Sequence, residues 1–165
     1  MKVTVIGAGN MGSAFVKQLT RAGHQVSVTA RDSAKAAQVA AANPGAKAVS
    51  AAGSGAGADV IVLATGYADA VPALRAAGDL KGKVVIDITN PLTADYMGLT
   101  LGHDTSAAEE IAKAVPGAEV VKAFNTVFAQ VLAEGRQPRQ RPQGERAALR
   151  QPGEDLRDDD CVGTV

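Results

Sequence analysis

The sequence predicts an α/β fold: a doubly wound parallel sheet in a three-layer α/β/α arrangement of the Rossmann type. Three observations carry this expectation. Short apolar runs alternate with stretches of helical periodicity from residue 2 to about residue 135. The runs are continuous in Val, Ile and Leu, as in strands buried on both faces. The first run, Val3 to Ile6, leads directly into Gly7-x-Gly9-x-x-Gly12, the turn that joins strand to helix in dinucleotide-binding sheets. Aromatic residues make up only 3% of the 165-residue chain, and there are 33 alanines and no Trp. The core must therefore come from Val, Ala, Leu and Ile.

Each element follows from local chemistry. A helix runs from Asn10 to Ala22, with Met11, Phe15 and Leu19 on one face and Gly23 closing it. Gln25 to Thr29 forms a second strand. Ser33 caps a helix that ends at Asn43-Pro44-Gly45. Ala46 to Val49 is a short third strand, and the low-complexity stretch 51–58 reads as loop. Asp59 to Ala64 is a strongly buried strand. A helix over Asp69 to Ala77 places Pro72 in its first turn, where proline is tolerated. Lys83 to Asp87 is the fifth strand. Ser106-x-x-Glu109 is a capping box opening a helix that stops at Pro116-Gly117. Glu119 to Phe124 is the sixth strand, and Val127, Phe128, Val131 and Leu132 mark a last helix closed by Gly135. Strands alternate with helices throughout, so the sheet is expected to be parallel and doubly wound, with the strand order 3-2-1-4-5-6.

The composition shifts at Gly135. All six basic residues beyond it are Arg, whereas residues 1–135 carry eight Lys and three Arg. Four Gln, three Pro and the acidic run Asp158 to Asp160 follow, with little apolar periodicity. The expected organisation is a nucleotide-binding domain over 1–135 and a polar, disordered tail over 136–165.

Bulk properties exclude several classes. Net charge is zero, which points away from nucleic acid and anionic membranes. Cys161 is the single cysteine, so neither an internal disulfide nor a cysteine metal cluster is expected. The first apolar run ends after four residues at Gly7, unlike a signal peptide, and no stretch approaches the roughly 20 apolar residues of a membrane span. A cytoplasmic protein is expected. No nucleophile elbow, metal-ligand spacing or paired carboxylates stand out, so neither a catalytic residue nor a metal ligand is nominated. His24 precedes the second strand at the edge away from the site, and His103 sits beside Asp104 in a loop.

The glycine turn assigns cofactor contacts. Gly7 permits the sharp turn, Gly9 leaves room for a pyrophosphate, and Gly12 allows close packing of helix on strand. Asn10 and Met11 open the helix whose N–H groups face the anion. In NAD-binding sheets a carboxylate at the end of the second strand takes the ribose hydroxyl. Here that position falls at Thr29-Ala30, followed by Arg31. A guanidinium can stack on adenine and pair with a 2′-phosphate, and Lys35 offers a second cation, so NADP is favoured over NAD. Asp32, about twenty residues beyond the turn, is the competing ribose ligand, and a solvated surface loop is the plain alternative. Ligands lie beyond the carboxyl ends of the strands. Ala64-Thr65, Asn90-Pro91 and Asn125-Thr126 are therefore further candidates, each also readable as a turn residue.

The segments VIGAGNMG, TARDSAK, VVIDITNPL and HDTSAAEEIAKAVPGAEVVKAFNTVF together resemble one family, the NADPH-dependent reductases of the deazaflavin coenzyme F420 and related NADP oxidoreductases. The resemblance covers about residues 1–135, and its specific parts are Asp87 to Pro91 and Lys122 to Thr126. It implies NADPH bound at Gly7 to Gly12, with the 2′-phosphate at Arg31 and Lys35. It also implies coenzyme F420 as co-substrate, direct hydride transfer between two stacked rings, and a homodimer. Two positions depart from the family: Ala30, where Ser or Thr is common, and Gly66, where proline is common. The family also continues past the equivalent of Arg136 with further strand and helix, whereas a frame-shifted or truncated end would give the polar composition seen here. Two alternatives stand beside the reductase: a non-catalytic or truncated NADP-binding module, and a reductase of another acceptor such as a flavin, an imine or ferric iron.

Overall fold

The computed structural model describes residues 1–135; the expected tail, with Cys161, lies outside the described residues. Eleven elements follow in order: β1 (Lys2–Ile6), α1 (Asn10–Arg21), β2 (Gln25–Thr29), α2 (Ser33–Ala41), β3 (Ala46–Ala48), β4 (Val60–Leu63), α3 (Tyr67–Ala76), β5 (Val84–Asp87), α4 (Ala107–Ala114), β6 (Glu119–Lys122) and α5 (Ala129–Glu134). The six strands form one parallel sheet in the order β3-β2-β1-β4-β5-β6, which is the order expected from the alternation of strands and helices. The register places Ile6 beside Thr29 on one side and Leu63 on the other, and Leu63 beside Asp87. The carboxyl ends of β2, β1, β4 and β5 thus align along one rim.

The period-2 alternation of each strand divides the core between the two faces. Val3, Val5, Val28 and Val62 point to one face and meet Phe15 and Val16 of α1. Ile61, Leu63 and Val85 point to the other and meet Leu74 of α3 and Ile111 of α4. Most of these side chains are fully buried. Helix α5 returns over α1, where the Gln18 side-chain amide donates to the Ala133 carbonyl at 2.8 Å.

Several boundaries differ from the sequence expectation. Asp32, not Ser33, is the N-cap of α2: its carboxylate accepts the N–H groups of Ala34 and Lys35. Helix α3 begins two residues early, at Tyr67, so Pro72 falls inside the helix rather than in its first turn. There it removes the N–H that would reach the Ala68 carbonyl. Strand β6 ends at Lys122 because Phe124 takes a positive φ of 58°, a left-handed conformation that no strand continues through. The capping box of α4 is present in full, with Ser106 and Glu109 bonded reciprocally.

The low-complexity stretch after β3 is more structured than its composition suggests. It takes the place of a crossover helix. Gly55 lies so close to the turn that follows α3 that a Cβ there would meet Leu80 Cδ2 at 2.7 Å and the Ala77 carbonyl at 2.9 Å. The Thr4 hydroxyl donates to the Ser54 carbonyl at 3.0 Å, tying the segment to the sheet.

Candidate dinucleotide site

The three glycines of the turn separate into two classes. Gly7 has φ +120°, its N–H bonds the Thr29 carbonyl at 2.7 Å, and a Cβ there would lie 2.2 Å from the Ala64 carbonyl oxygen. A Cβ on Gly12 would lie 1.9 Å from the Gly7 carbonyl oxygen. Both glycines are required by the fold itself. Gly9 is different: it caps α1 with an ordinary φ of −80°, and a Cβ built there meets nothing within 4 Å. The protein alone has no steric need for glycine at this position. The space left open lies at the N-terminus of a 12-residue helix that has no side-chain cap, where N–H groups and the helix dipole favour an anion.

Two clefts flank this helix end. The first, of about 480 Å³, is lined by Gly7, Gly9, Thr29, Arg31, Lys35, Ala64 and Thr65 among others. The second, of about 530 Å³, is lined by Asn10, Met11, Asn90 and Asn125 among others. Eleven of the thirteen positions singled out from the sequence thus line one cleft or the other. Gly12 is buried against the Gly7 backbone instead. Pro91 lines neither; its carbonyl anchors the following loop by accepting the Thr100 N–H at 2.7 Å.

The rim carries unsatisfied polar atoms. Among the described residues the hydroxyls of Thr29 and Thr65, which line the first cleft, are buried without a hydrogen-bond partner, as is that of Thr89 at the end of β5. Buried hydroxyls are normally paired, so two orphan donors in one cleft mark places where a polar ligand would be bonded. The open position at Gly9, the uncapped α1 terminus and these hydroxyls fit a dinucleotide with its pyrophosphate at the helix and one nucleoside in each cleft. Arg31 and Lys35 would face a ribose phosphate in the first cleft, whereas Asp32, engaged as the α2 cap, is already bonded to two N–H groups.

The second cleft is held by cross-strand bonds. The Asn90 side-chain amide donates to the Asn125 carbonyl at 3.0 Å, and the Asn125 amide to Asn90 Oδ1 at 3.4 Å. Beneath them lies the fully buried Asp87 carboxylate. It accepts the Thr89 N–H at 2.8 Å and the Lys122 ammonium at 2.9 Å, and Lys122 also donates to the Thr89 carbonyl. The Phe124 ring, carried on its left-handed backbone, meets Phe15 edge to face with centroids 5.1 Å apart and lines the cleft with Ile88 and Phe128.

Sequence reading missed parts of both walls. Asp69, Pro72, Ala73 and Ala76 of α3 line the first cleft. Their spacing of i, i+3, i+4 and i+7 is one helical face, and small residues along it were the available signal. Ala51, from the stretch read as plain loop, lines the same cleft. Arg31 faces Asp69 across the opening, with Nη1 to Oδ1 at 3.3 Å. Neither histidine lines either cleft. Among the described residues no group of His, Cys, Asp or Glu could hold a metal ion, and no helix is long and apolar enough to cross a membrane.

Residues 2–91 match the family described as NADP oxidoreductase, coenzyme F420-dependent. The F420-dependent NADP reductase of Methanothermobacter thermautotrophicus is 30% identical over 162 residues, covering 84% of this chain and 66% of that protein. A crystal structure of an Arthrobacter sp. FB24 protein assigned as an F420-dependent NADP reductase is 34% identical, with a TM-score of 0.72, covering 79% of this chain and 64% of that one. The metalloreductase STEAP3 of Rattus norvegicus is 27% identical over 135 residues, 81% of this chain and 26% of that protein. The chain thus spans about two thirds of the reductases it matches and about a quarter of the metalloreductase.

Proposed function

The chain belongs to the coenzyme F420-dependent NADP oxidoreductases, and from that premise we propose that residues 1–135 bind NADP(H) and present it for hydride exchange with the deazaflavin coenzyme F420. The observation that carries the cofactor half is Gly9: the fold leaves room for a side chain there, and a pyrophosphate is what would use that room. Arg31 and Lys35 take the 2′-phosphate. Thr29 and Thr65 bond the adenosine half. Asn90 and Asn125, cross-bonded and set on the Asp87–Lys122 pair, orient the nicotinamide half. The cofactor supplies the hydride when bound. The protein's part is to align the rings and exclude water, so an acid–base side chain is not required.

The second cleft, with Met11, Phe124 and Phe128 on its walls, is apolar enough to receive a second flat ring beside the nicotinamide. The same cleft admits other acceptors. The likeness to a metalloreductase favours a metal ion, such as ferric iron, as the second reading.

Calorimetric titration with NADPH and NADH tests the cofactor half. Tighter binding of NADPH is expected; equal or tighter binding of NADH overturns it. Anaerobic assay with NADPH and purified F420, with a flavin, an imine and a ferric chelate as comparison acceptors, tests the rest. Reduction of the ferric chelate with none of F420 would transfer the reading to the metalloreductase class.

A further inference from the structure

The first cleft contains a feature that opposes its own expected ligand. Its charged lining residues are two cations, Arg31 and Lys35, and two acids, Asp32 and Asp69. The Asp32 carboxylate is spent on the α2 cap, at 3.0 Å from the Ala34 nitrogen and 3.3 Å from that of Lys35. Among the described residues the Asp69 carboxylate bonds only Arg31, whose Nη1 lies 3.3 and 3.5 Å from its two oxygens. Asp69 stands in the first turn of α3, where the helix dipole favours a carboxylate whether or not Arg31 is near. Its place in the cleft thus does not depend on Arg31. The Lys35 ammonium makes no hydrogen bond or ion pair among the described residues, so it is the free cation of the site.

We propose that Asp69 is a specificity-determining residue: by holding Arg31 across the mouth of the cleft, it lowers the preference for a 2′-phosphorylated dinucleotide over its unphosphorylated counterpart. The inference rests on the NADP reading of the site. A ribose phosphate carries about −1.5 to −2 charges near pH 7. To pair with Arg31 it must displace Asp69 or share the guanidinium with it, against repulsion between the two anions. A ribose hydroxyl meets no such competition. Lys35 makes the first contact with the phosphate and Arg31 follows once released. The Arg31 and Asp69 side chains are 89% and 56% exposed, so the competition is that of a solvent-screened pair, weak in itself but directed at one ligand and not the other.

The test is Asp69→Asn, with Asp69→Ser as a second, smaller uncharged variant, titrated with NADPH and NADH at low ionic strength. Expected are a roughly two- to five-fold lower Kd for NADPH, the range spanned by an exposed ion pair, and an unchanged Kd for NADH. The gain should vanish when Arg31→Ala is already present. An NADPH-to-NADH ratio that is unchanged or reduced in both variants overturns the inference. Equal tightening for the two cofactors overturns it as well, because Asp69 would then act on the adenosine they share. If the unaltered chain fails to prefer NADPH, the NADP reading falls and this inference with it; a preference that Asp69→Asn leaves untouched removes the inference alone.

Discussion

The Lys122 ammonium lies 2.9 Å from an Asp87 carboxylate that has no exposed surface, and it bonds the Thr89 carbonyl as well. The two residues stand opposite each other in the register of β5 and β6. One lysine thus closes the outer edge of the sheet and fixes the turn that carries Asn90.

Removing that lysine strands a buried charge. Lys122→Met should destabilise the domain by about 3 kcal/mol, the scale for breaking a buried pair from one side. Removing both charges with Asp87→Asn and Lys122→Met should recover part of the loss. Denaturant melts of the three variants measure this. A double variant no more stable than Lys122→Met would show that the loss comes from packing of the lysine stem.

The glycines should separate binding from folding. Gly9→Val should keep its circular dichroism spectrum and lose NADPH binding, because the side chain fits the empty protein and not the occupied one. Gly12→Val should fail to fold, since its Cβ would collide with the Gly7 carbonyl. Retained NADPH affinity in folded Gly9→Val would remove the pyrophosphate from this turn.

Arg31→Ala should cost about 1–3 kcal/mol of NADPH affinity, the value of a hydrogen bond to a charged group. NADH affinity should hardly change. Titration of both cofactors reads the difference, and equal losses would detach Arg31 from the phosphate.

Acid should loosen α4 before the glycine turn. Bonds from the Ser106 hydroxyl and backbone hold the Glu109 carboxyl below its ordinary value, and the Lys113 ammonium followed by the Thr105 hydroxyl does the same for Glu110. A carboxylate with a depressed folded-state pKa adds stability above its unfolded pKa and loses it as pH falls through the folded one. Thermal melts from neutral pH to below 4.5, the ordinary value of a glutamate carboxyl, should therefore show a decline that Glu109→Gln makes shallower. An identical decline in Glu109→Gln would place the acid sensitivity elsewhere.

The glycine spacing and the alternation of apolar runs with helical periods were enough to specify the sheet order and to name most of the residues that line the two clefts. Both depend on local chemistry. What the sequence hid depends on register or on meetings across a cleft. Asp87 and Lys122 are 35 residues apart, and their pairing is visible only when β5 and β6 are aligned. Asp69 reads as a helix-starting acid, and it does sit in a first turn, but nothing local announces that Arg31 lies opposite. The stretch 51–58 looked featureless because alanine and glycine carry no pattern, yet the lack of a side chain at Gly55 is what lets it approach the turn after α3 so closely. Phe124 hid a strand end, because an aromatic residue gives no warning of a left-handed backbone.

The placement of two clefts on opposite sides of one helix terminus makes a dinucleotide a bivalent ligand. Once its phosphates are seated at α1, the second nucleoside is tethered over its cleft, at an effective concentration set by the short pyrophosphate linker. Damage to one cleft then lowers avidity only as far as the affinity of the other half. An adenosine-side fragment such as 2′,5′-ADP should still bind a protein whose Asn90–Asn125 bridge has been cut. The two halves of the site could accordingly diverge independently, one keeping the cofactor while the other changes what it reduces.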